Sequence, residues 1–356
     1  MLGKININNQ NISLKTKSYF IADIAANHDG SLSKAIDLIN MAAENGADAA
    51  KFQNFIAETI VSDYGFKRLN SISSHQSSWK KSVFEIYKDA SIPLEWTKEL
   101  KKECDKAKID YLTTPYDLSL INELDEYVCA WKLGSGDITW HDNIANLAKK
   151  NKPILIATGA SNLDEVKKAY EVAKKFNDQI SIMQCNTNYT ASLENFKYIS
   201  LNVLKTYSKE FPDTVLGLSD HTPGHSTVLG AITLGARIIE KHFTNDNNLD
   251  GPDHKFSMNP KTWKNMIEAS RELENALGVE DKIIMKNEIE TSIIQRRAIR
   301  SSKDLKKGDT LLEDDLTYLR PCPEDALPPY KKNSIIGKKI LKNINDGDII
   351  KESDLA

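Results

Sequence analysis

The chain has 356 residues, 40% of them hydrophobic and 27% charged, with a formal net charge of −3 at pH 7. That length exceeds one ordinary domain and suits a barrel of roughly 250 residues followed by a smaller module. The interspersed charge leaves no basic footprint for nucleic acid, and no apolar run approaches the length of a membrane span.

The first residues, Met1 to Lys17, lack the apolar core of a signal peptide. Cys104, Cys129, Cys185 and Cys322 lie too far apart for a metal motif and read as reduced thiols, so a cytoplasmic protein is expected. Cys185 sits beside candidate site residues but reads as a packed strand cysteine. From Tyr19 onward, short apolar runs alternate with helical patterns. The predicted strands are 19–25, 49–53, 110–115, 130–134, 153–158, 180–185, 214–218 and 237–242. Eight such units are what a TIM (β/α)8 barrel needs. The alternative, an open doubly wound sheet, would carry a glycine-rich dinucleotide signature after its first strand, where Ile24-Ala25-Ala26-Asn27-His28 stands instead.

In such a barrel the C-terminal strand ends ring one site. Asn27 and His28 follow the first strand, and Lys51 ends the second. The third strand ends at Thr113-Thr114-Pro115. The fourth carries Lys132 into Gly134-Ser135-Gly136-Asp137, a set of ammonium, hydroxyl and freed backbone amides that suits a phosphate or carboxylate. The sixth runs through Cys185 into Asn186-Thr187-Asn188-Tyr189, a polar rim with one aromatic ring. The seventh ends at Ser219-Asp220-His221 and the eighth at His242, so two imidazoles come within reach of a common metal ion. The connection from Ile56 to Pro93 reads as a long loop that could cover the barrel mouth. Taken alone, either histidine is as well explained as a hydrogen-bonded strand-end residue.

Barrel, connector and module are expected at residues 1–282, 283–295 and 296–356. In the last, Lys307-Gly308-Asp309 and Asp346-Gly347-Asp348 each precede a short apolar run and an acidic helix start, a near-repeat that suggests a compact module of strands and turns.

Seven stretches in order resemble the sialic acid synthase family, which condenses phosphoenolpyruvate with a hexosamine to make nonulosonic acids. They are Ile21-Ala22-Asp23-Ile24 with Asn27-His28-Asp29-Gly30; Lys51-Phe52-Gln53; Thr113-Thr114-Pro115; Lys132 to Asp137; Gly217 to Thr222; Glu240-Lys241-His242-Phe243; and Gly251-Pro252-Asp253-His254-Lys255. Arg297 to Lys338 is similar to the antifreeze-like (SAF) β-clip module of such enzymes. The resemblance implies that Lys51, Thr114, Lys132, Ser135 and Ser219 hold the phosphate and carboxylate of phosphoenolpyruvate. It implies that His221 and His242 bind a divalent metal; imidazole and oxygen ligands with open positions suit Mn2+ before Mg2+ or Co2+. Asp253 and Tyr189, with Thr187 where the family carries an amide that Asn188 could also supply, would meet the amino-sugar acceptor. Arg297 would reach in from the partner of a domain-swapped homodimer. Asp137 and Asp23, the latter in place of the family's usual glutamate, would orient the attacking water, with Lys51 and Lys132 holding the departing phosphate. The loop around His75 and Trp79 would select the acceptor. Two rivals are a Schiff-base aldolase using Lys51 or Lys132 as nucleophile, and an inactive sugar-binding protein.

Overall fold

A computed structural model describes residues 3–69, 79 and 81–356; His75 and Gln76 lie outside these. The chain divides after Gly278 into two units.

The first unit opens with an antiparallel hairpin, β1 (Lys4–Ile7) and β2 (Gln10–Ser13). Eight strands follow: β3 (Tyr19–Asp23), β4 (Ala49–Asn54), β5 (Asp110–Pro115), β6 (Trp131–Leu133), β7 (Ile154–Ala157), β8 (Ile180–Cys185), β9 (Val215–Asp220) and β10 (Ile238–His242). Each pairs in parallel with the next and β10 pairs with β3, so the sheet closes into the expected barrel and the open-sheet alternative falls. Strands buried on both faces read as continuous apolar runs: β7 and β8 are buried at every position. The first outer helix, α1 (Leu32–Glu44), buries Ala35, Leu38, Ile39 and Ala42 at helical spacing, and Ser31 caps it by accepting a hydrogen bond from Lys34 N–H.

Two features depart from the sequence reading. The hairpin was overlooked, although isoleucines alternate with polar residues on either side of an Asn-Asn pair. Asn8 and Asn9 have φ of 45° and 66°, the left-handed region a tight hairpin turn requires. Ile5, Ile7 and Ile12 then plug the N-terminal end of the barrel against Tyr19, Ile21, Leu112 and Met183. The stretch from Ile56 to Pro93 is also not one long loop. It contains α2 (Ala57–Ile60), α3 (Asp63–Arg68) and α4 (Val83–Ala90), each too short to show helical periodicity. The signal lies in the caps: the Ser82 hydroxyl accepts from Glu85 N–H while the Glu85 carboxylate accepts from Ser82 N–H, a capping box.

Behind the site, Lys241 and Asp220 are register partners on β10 and β9 and form a fully buried ion pair between the barrel and the helix Ser226–Thr233. Asp220 also accepts from the hydroxyls of Thr222 and Thr227 at 2.8 and 2.7 Å, and Lys241 donates to Thr222 O at 2.6 Å. Burial alone would push the Asp220 carboxyl up. The Lys241 ammonium and these hydrogen bonds outweigh it and hold the group below the ordinary carboxylate range.

The second unit has its own core of Ile299, Leu305, Leu311, Ile335, Ile340, Ile344 and Ile350 around β11 (Ala298–Ser301) and β12 (Leu316–Leu319). The near-repeat is a physical one. Lys306 N–H donates to Asp309 Oδ2 at 2.8 Å as Asn345 N–H does to Asp348 Oδ2 at 3.1 Å. Lys303 pairs with Asp315 as Lys342 pairs with Asp354. Leu305 and Ile344 exchange two backbone hydrogen bonds of 2.8 and 2.9 Å where the two halves meet. Gly308 and Gly347, at φ of 94° and 83°, supply the left-handed turn in each half.

Because the Asp220–Lys241 pair is fully buried, Lys241→Met strands a carboxylate and is expected to cost about 3–5 kcal/mol of unfolding free energy. The double variant Asp220→Asn/Lys241→Met should recover part of that loss. Urea melts check this, and equal stability of Lys241→Met and the parent would contradict it.

Candidate active site

Register builds the site. Asp23 on β3 stands opposite Lys51 on β4 and His242 on β10, and Glu240 on β10 stands opposite Ser219 on β9. All five face into the barrel mouth. Lys51 Nζ lies 2.7 Å from Asp23 Oδ2, which also accepts from Gln53 Nε2 at 3.2 Å. Lys132 Nζ lies 3.2 Å from Glu240 Oε1, and Ser219 Oγ donates to the same oxygen at 3.1 Å. Both lysines and both acids are buried. Burial pulls the Lys51 ammonium down, but Asp23 and Glu240 outweigh it and hold its pKa above the ordinary value, so it carries a full positive charge.

These groups line a cavity of about 260 Å3. The predicted Thr114, Ser135, Asp137 and Tyr189 also face it, as do His221 and His242. Ser135 Oγ accepts from Gly159 N–H at 2.9 Å, tying the loop after β6 to the loop after β7. A side chain at Gly159 would put a Cβ 2.5 Å from Thr187 Cγ2, 2.9 Å from Ser135 Oγ and 3.1 Å from Cys185 Sγ, so glycine is required there. Asp137 leaves one buried carboxylate oxygen unpartnered, and burial raises its pKa to about 6.

A second cavity of about 160 Å3 adjoins the first and shares Gln53, Phe55, Tyr87, Tyr116, Tyr189 and His242 with it. Its other wall brings in Trp79, Ile86, Pro252 and Asp253. Burial raises the Asp253 carboxyl to about 7, against the pull of a hydrogen bond from Ala26 N–H at 3.2 Å.

The two histidine rings are 5.3 Å apart, centroid to centroid. His221 Nδ1–H donates to Asn186 O at 2.8 Å, which leaves the lone pair on Nε2. His242 has a buried, unpartnered Nδ1, and its Nε2 lies 3.5 Å from Asp23 Oδ2. Burial lowers both imidazole pKa values, His242 strongly and further through its neighbour His221. Neutral imidazoles with free lone pairs, beside a carboxylate, fit a divalent ion. Among the described residues no three His, Cys, Asp or Glu side chains converge as a closed ligand set, so the remaining positions would stay open to water and substrate.

Other predicted residues lie elsewhere. Thr187 packs against Gly159 outside both cavity linings, and Asn188 Oδ1 is taken by Thr190 and Asn195 within its own loop. Asn27 donates to Phe243 O and Ser257 Oγ, both at 2.9 Å, and His28 sets its ring edge on Trp96; both are buried and structural. Arg297 belongs to the second unit, where it donates to Tyr318 O at 2.7 Å. Glu240 and Tyr116 had no assigned role from sequence. Glu240 was legible as the residue two before His242, hence on the same strand face. Tyr116 was not: its hydroxyl sits 2.6 Å from where a Cβ on Gly134 would lie, a contact only the fold creates.

Comparison with known proteins agrees with this geometry. A family model described as the NeuB family matches residues 38–282, and one described as the SAF domain matches residues 296–356. The N,N'-diacetyllegionaminic acid synthase of Campylobacter jejuni subsp. jejuni serotype O:2 is 34% identical over 342 residues, covering 94% of this chain and 99% of that protein. The pseudaminic acid synthase of Campylobacter jejuni subsp. jejuni serotype O:23/36 is 30% identical over 353 residues, with 97% and 98% covered. The crystal structure of N-acetylneuraminic acid (sialic acid) synthetase from Leptospira borgpetersenii serovar Hardjo-bovis superposes with a TM-score of 0.71 at 26% identity, covering 82% of this chain and 95% of that one. With its barrel matched over residues 38–282 and its C-terminal module over 296–356, the chain belongs to the NeuB family.

Proposed function

We propose that this protein is a nonulosonic acid synthase, condensing phosphoenolpyruvate with an N-acylated amino sugar to give a sialic-acid-like 2-keto acid and inorganic phosphate. The observation that carries this reading is the pair of buried, acid-balanced lysines facing two neutral histidines across one cavity. A dianionic or trianionic substrate can replace Asp23 and Glu240 as partner of Lys51 and Lys132. Thr114, whose buried hydroxyl has no partner, and Ser135 and Ser219 add hydroxyl donors around it.

The methylene carbon of phosphoenolpyruvate attacks the aldehyde carbon of the open-chain sugar, and a carbon–carbon bond forms. His221 and His242 would hold a divalent metal, Mn2+ in this reading, and it would supply Lewis-acid polarisation of the aldehyde. Attack leaves cationic character at C2 between the carboxylate and the phosphate ester. Asp137, aided by Asp23, takes a proton from water as it adds to C2; that proton ends on the alkoxide formed from the aldehyde oxygen, and the remaining proton of the new C2 hydroxyl leaves with the phosphate. The tetrahedral centre then collapses by C–O cleavage, and Lys51 and Lys132 hold the departing phosphate. Asp253 and Tyr189, on the wall of the adjoining cavity, meet the sugar. A Schiff-base route needs a neutral amine, whereas Asp23 and Glu240 keep Lys51 protonated.

The working form is a domain-swapped homodimer in which Arg297 completes the partner's site. Val279, Ile283, Ile284, Met285, Ile289, Ile293 and Ile294 are all exposed in the single chain, an apolar run that a second copy would cover. No helix among the described residues is long and apolar enough to cross a membrane, and four free thiols suit the reducing cytoplasm, where we place the reaction.

Incubation with phosphoenolpyruvate, Mn2+ and a panel of N-acylated hexosamines should release phosphate only when both substrates are present. Chelation should abolish it, and phosphate release without sugar or full activity in a metal-free assay would refute the reading. Because Asp137 works as a carboxylate with a pKa of about 6 in the free protein, kcat/KM should fall as pH drops through that value. Asp137→Asn should lose this acid limb and roughly 10²–10⁴-fold of kcat; an unchanged limb in the variant would remove Asp137 from the chemistry. Mixing Arg297→Ala with His221→Ala chains should restore activity through one intact site per mixed dimer, and a dead mixture with proven subunit exchange would rule out the swap.

A further inference from the structure

The loop after β10 carries two groups the site depends on. Asp253 points its Oδ2 to within 3.8 Å of His242 Nδ1, and Phe256 lays its ring against His242, Tyr189 and His221 at centroid distances of 4.9, 5.3 and 5.8 Å. The side chain between them anchors this part of the loop. His254 is fully buried and bridges the loops that follow the first and last barrel strands, at the seam where the barrel closes. Its Nε2–H donates to Asp29 Oδ1 at 3.0 Å, since a carboxylate can only accept. Nδ1 is then left to accept from the Thr244 hydroxyl at 2.7 Å. Asp29 is itself held by an ion pair with Lys34 on α1. Asn247 Nδ2 donates to the His254 backbone oxygen at 2.8 Å. The ring leaves no room at the start of the loop: a Cβ on Gly251 would lie 2.6 Å from His254 Cδ2 and 3.4 Å from Asp29 Oδ1.

We propose that His254 is a positioning residue for the acceptor sugar, holding Asp253 at its place in the second cavity through an Asp29–His254–Thr244 strut. This rests on the reading that Asp253 meets the sugar. The strut spans the two loops on one side of the mouth and touches neither lysine, so it governs one substrate and not the other. Asp253 keeps its contact with Ala26 N–H only while the loop stays anchored beside β3; Asn27 ties the far end of the loop at Phe243 and Ser257, and His254 ties the stretch next to Asp253.

Steady-state kinetics of His254→Ala, His254→Gln and Asp29→Ala provide the test. In His254→Ala the KM for the amino sugar should rise roughly 10–100-fold, as when a supporting hydrogen bond behind a ligand is removed, while the KM for phosphoenolpyruvate stays within about twofold. His254→Gln, whose amide can still donate to Asp29, should regain part of the loss. The Asp29→Ala and His254→Ala effects should fall short of additive in the double variant, because both remove one strut. A folded His254→Ala chain with an unchanged sugar KM overturns the proposal. So does a variant in which both KM values rise together, or in which activity falls with neither KM altered, since that is the mark of general destabilisation. Should His254→Ala fail to fold, the glutamine and Asp29 variants decide on the same criteria. Amide exchange over Ala26 and residues 251–256 is independent of turnover. It should quicken in His254→Gln and Asp29→Ala with the rest of the barrel unchanged, and unaltered exchange there overturns the strut even if the parent chain has no synthase activity.

Discussion

Everything at the barrel mouth depends on two buried lysines, each set against a buried acid where water is scarce. An isolated buried lysine would shed its proton, because desolvation disfavours the charged form. Here the barrel supplies an acid to each: Asp23 on β3 stands in register beside Lys51 on the adjacent β4, and Glu240 on β10 reaches across the barrel to Lys132 on β6. The price is a set of balanced charges that contributes little to stability by itself. In the proposed function its use would lie in exchange, since an incoming phosphate and carboxylate could take over from two carboxylates already there. The site is therefore prepared for anions without being an open cationic hole in the free protein.

Rigidity around that exchange comes from polar struts lying just outside the cavity. Lys241 and Asp220 alternate with His242 and with Ser219 along their strands, so the outward residues lock the strands whose inward residues face the substrate. Ser135 and Gly159 tie two further loops, and Asp29, His254 and Thr244 tie the loops at the barrel seam. Each strut joins elements distant in the sequence but adjacent in the barrel. That arrangement holds reacting groups in place more firmly than loops of this length could do alone.

The barrel was legible because parallel strands buried on both faces leave unbroken apolar runs, and the site because its lysines, histidines and serines close those runs at the C-terminal ends. Asp23 and Lys51 could be placed near each other only by position in the barrel, and their ion pair followed from register. The N-terminal plug was missed because four-residue strands of mixed polarity show too little pattern, though the Asn-Asn turn marked them. α2, α3 and α4 were missed for a related reason: helices of four to eight residues are defined by their caps more than by periodicity. Tyr116 and the role of Glu240 were hidden because they arise from contacts between strands, Tyr116 with Gly134 on the neighbouring strand end and Glu240 with Lys132 across the barrel, that no local stretch encodes. The two-fold pattern of the second unit was visible in its Gly-Asp turns, while the matching lysine–aspartate pairs emerged only with the fold.

The central claim is that the carbon–oxygen bond of phosphoenolpyruvate breaks after attack by its methylene carbon and addition of water at C2. Phosphoenolpyruvate carrying oxygen-18 in the atom that bridges C2 and phosphorus tests this directly. The account predicts that, with amino sugar present, the released phosphate retains the label, seen as an isotope shift in its phosphorus NMR signal. Unlabelled phosphate, with the heavy oxygen left on the keto acid, would mean cleavage at phosphorus and would contradict the mechanism.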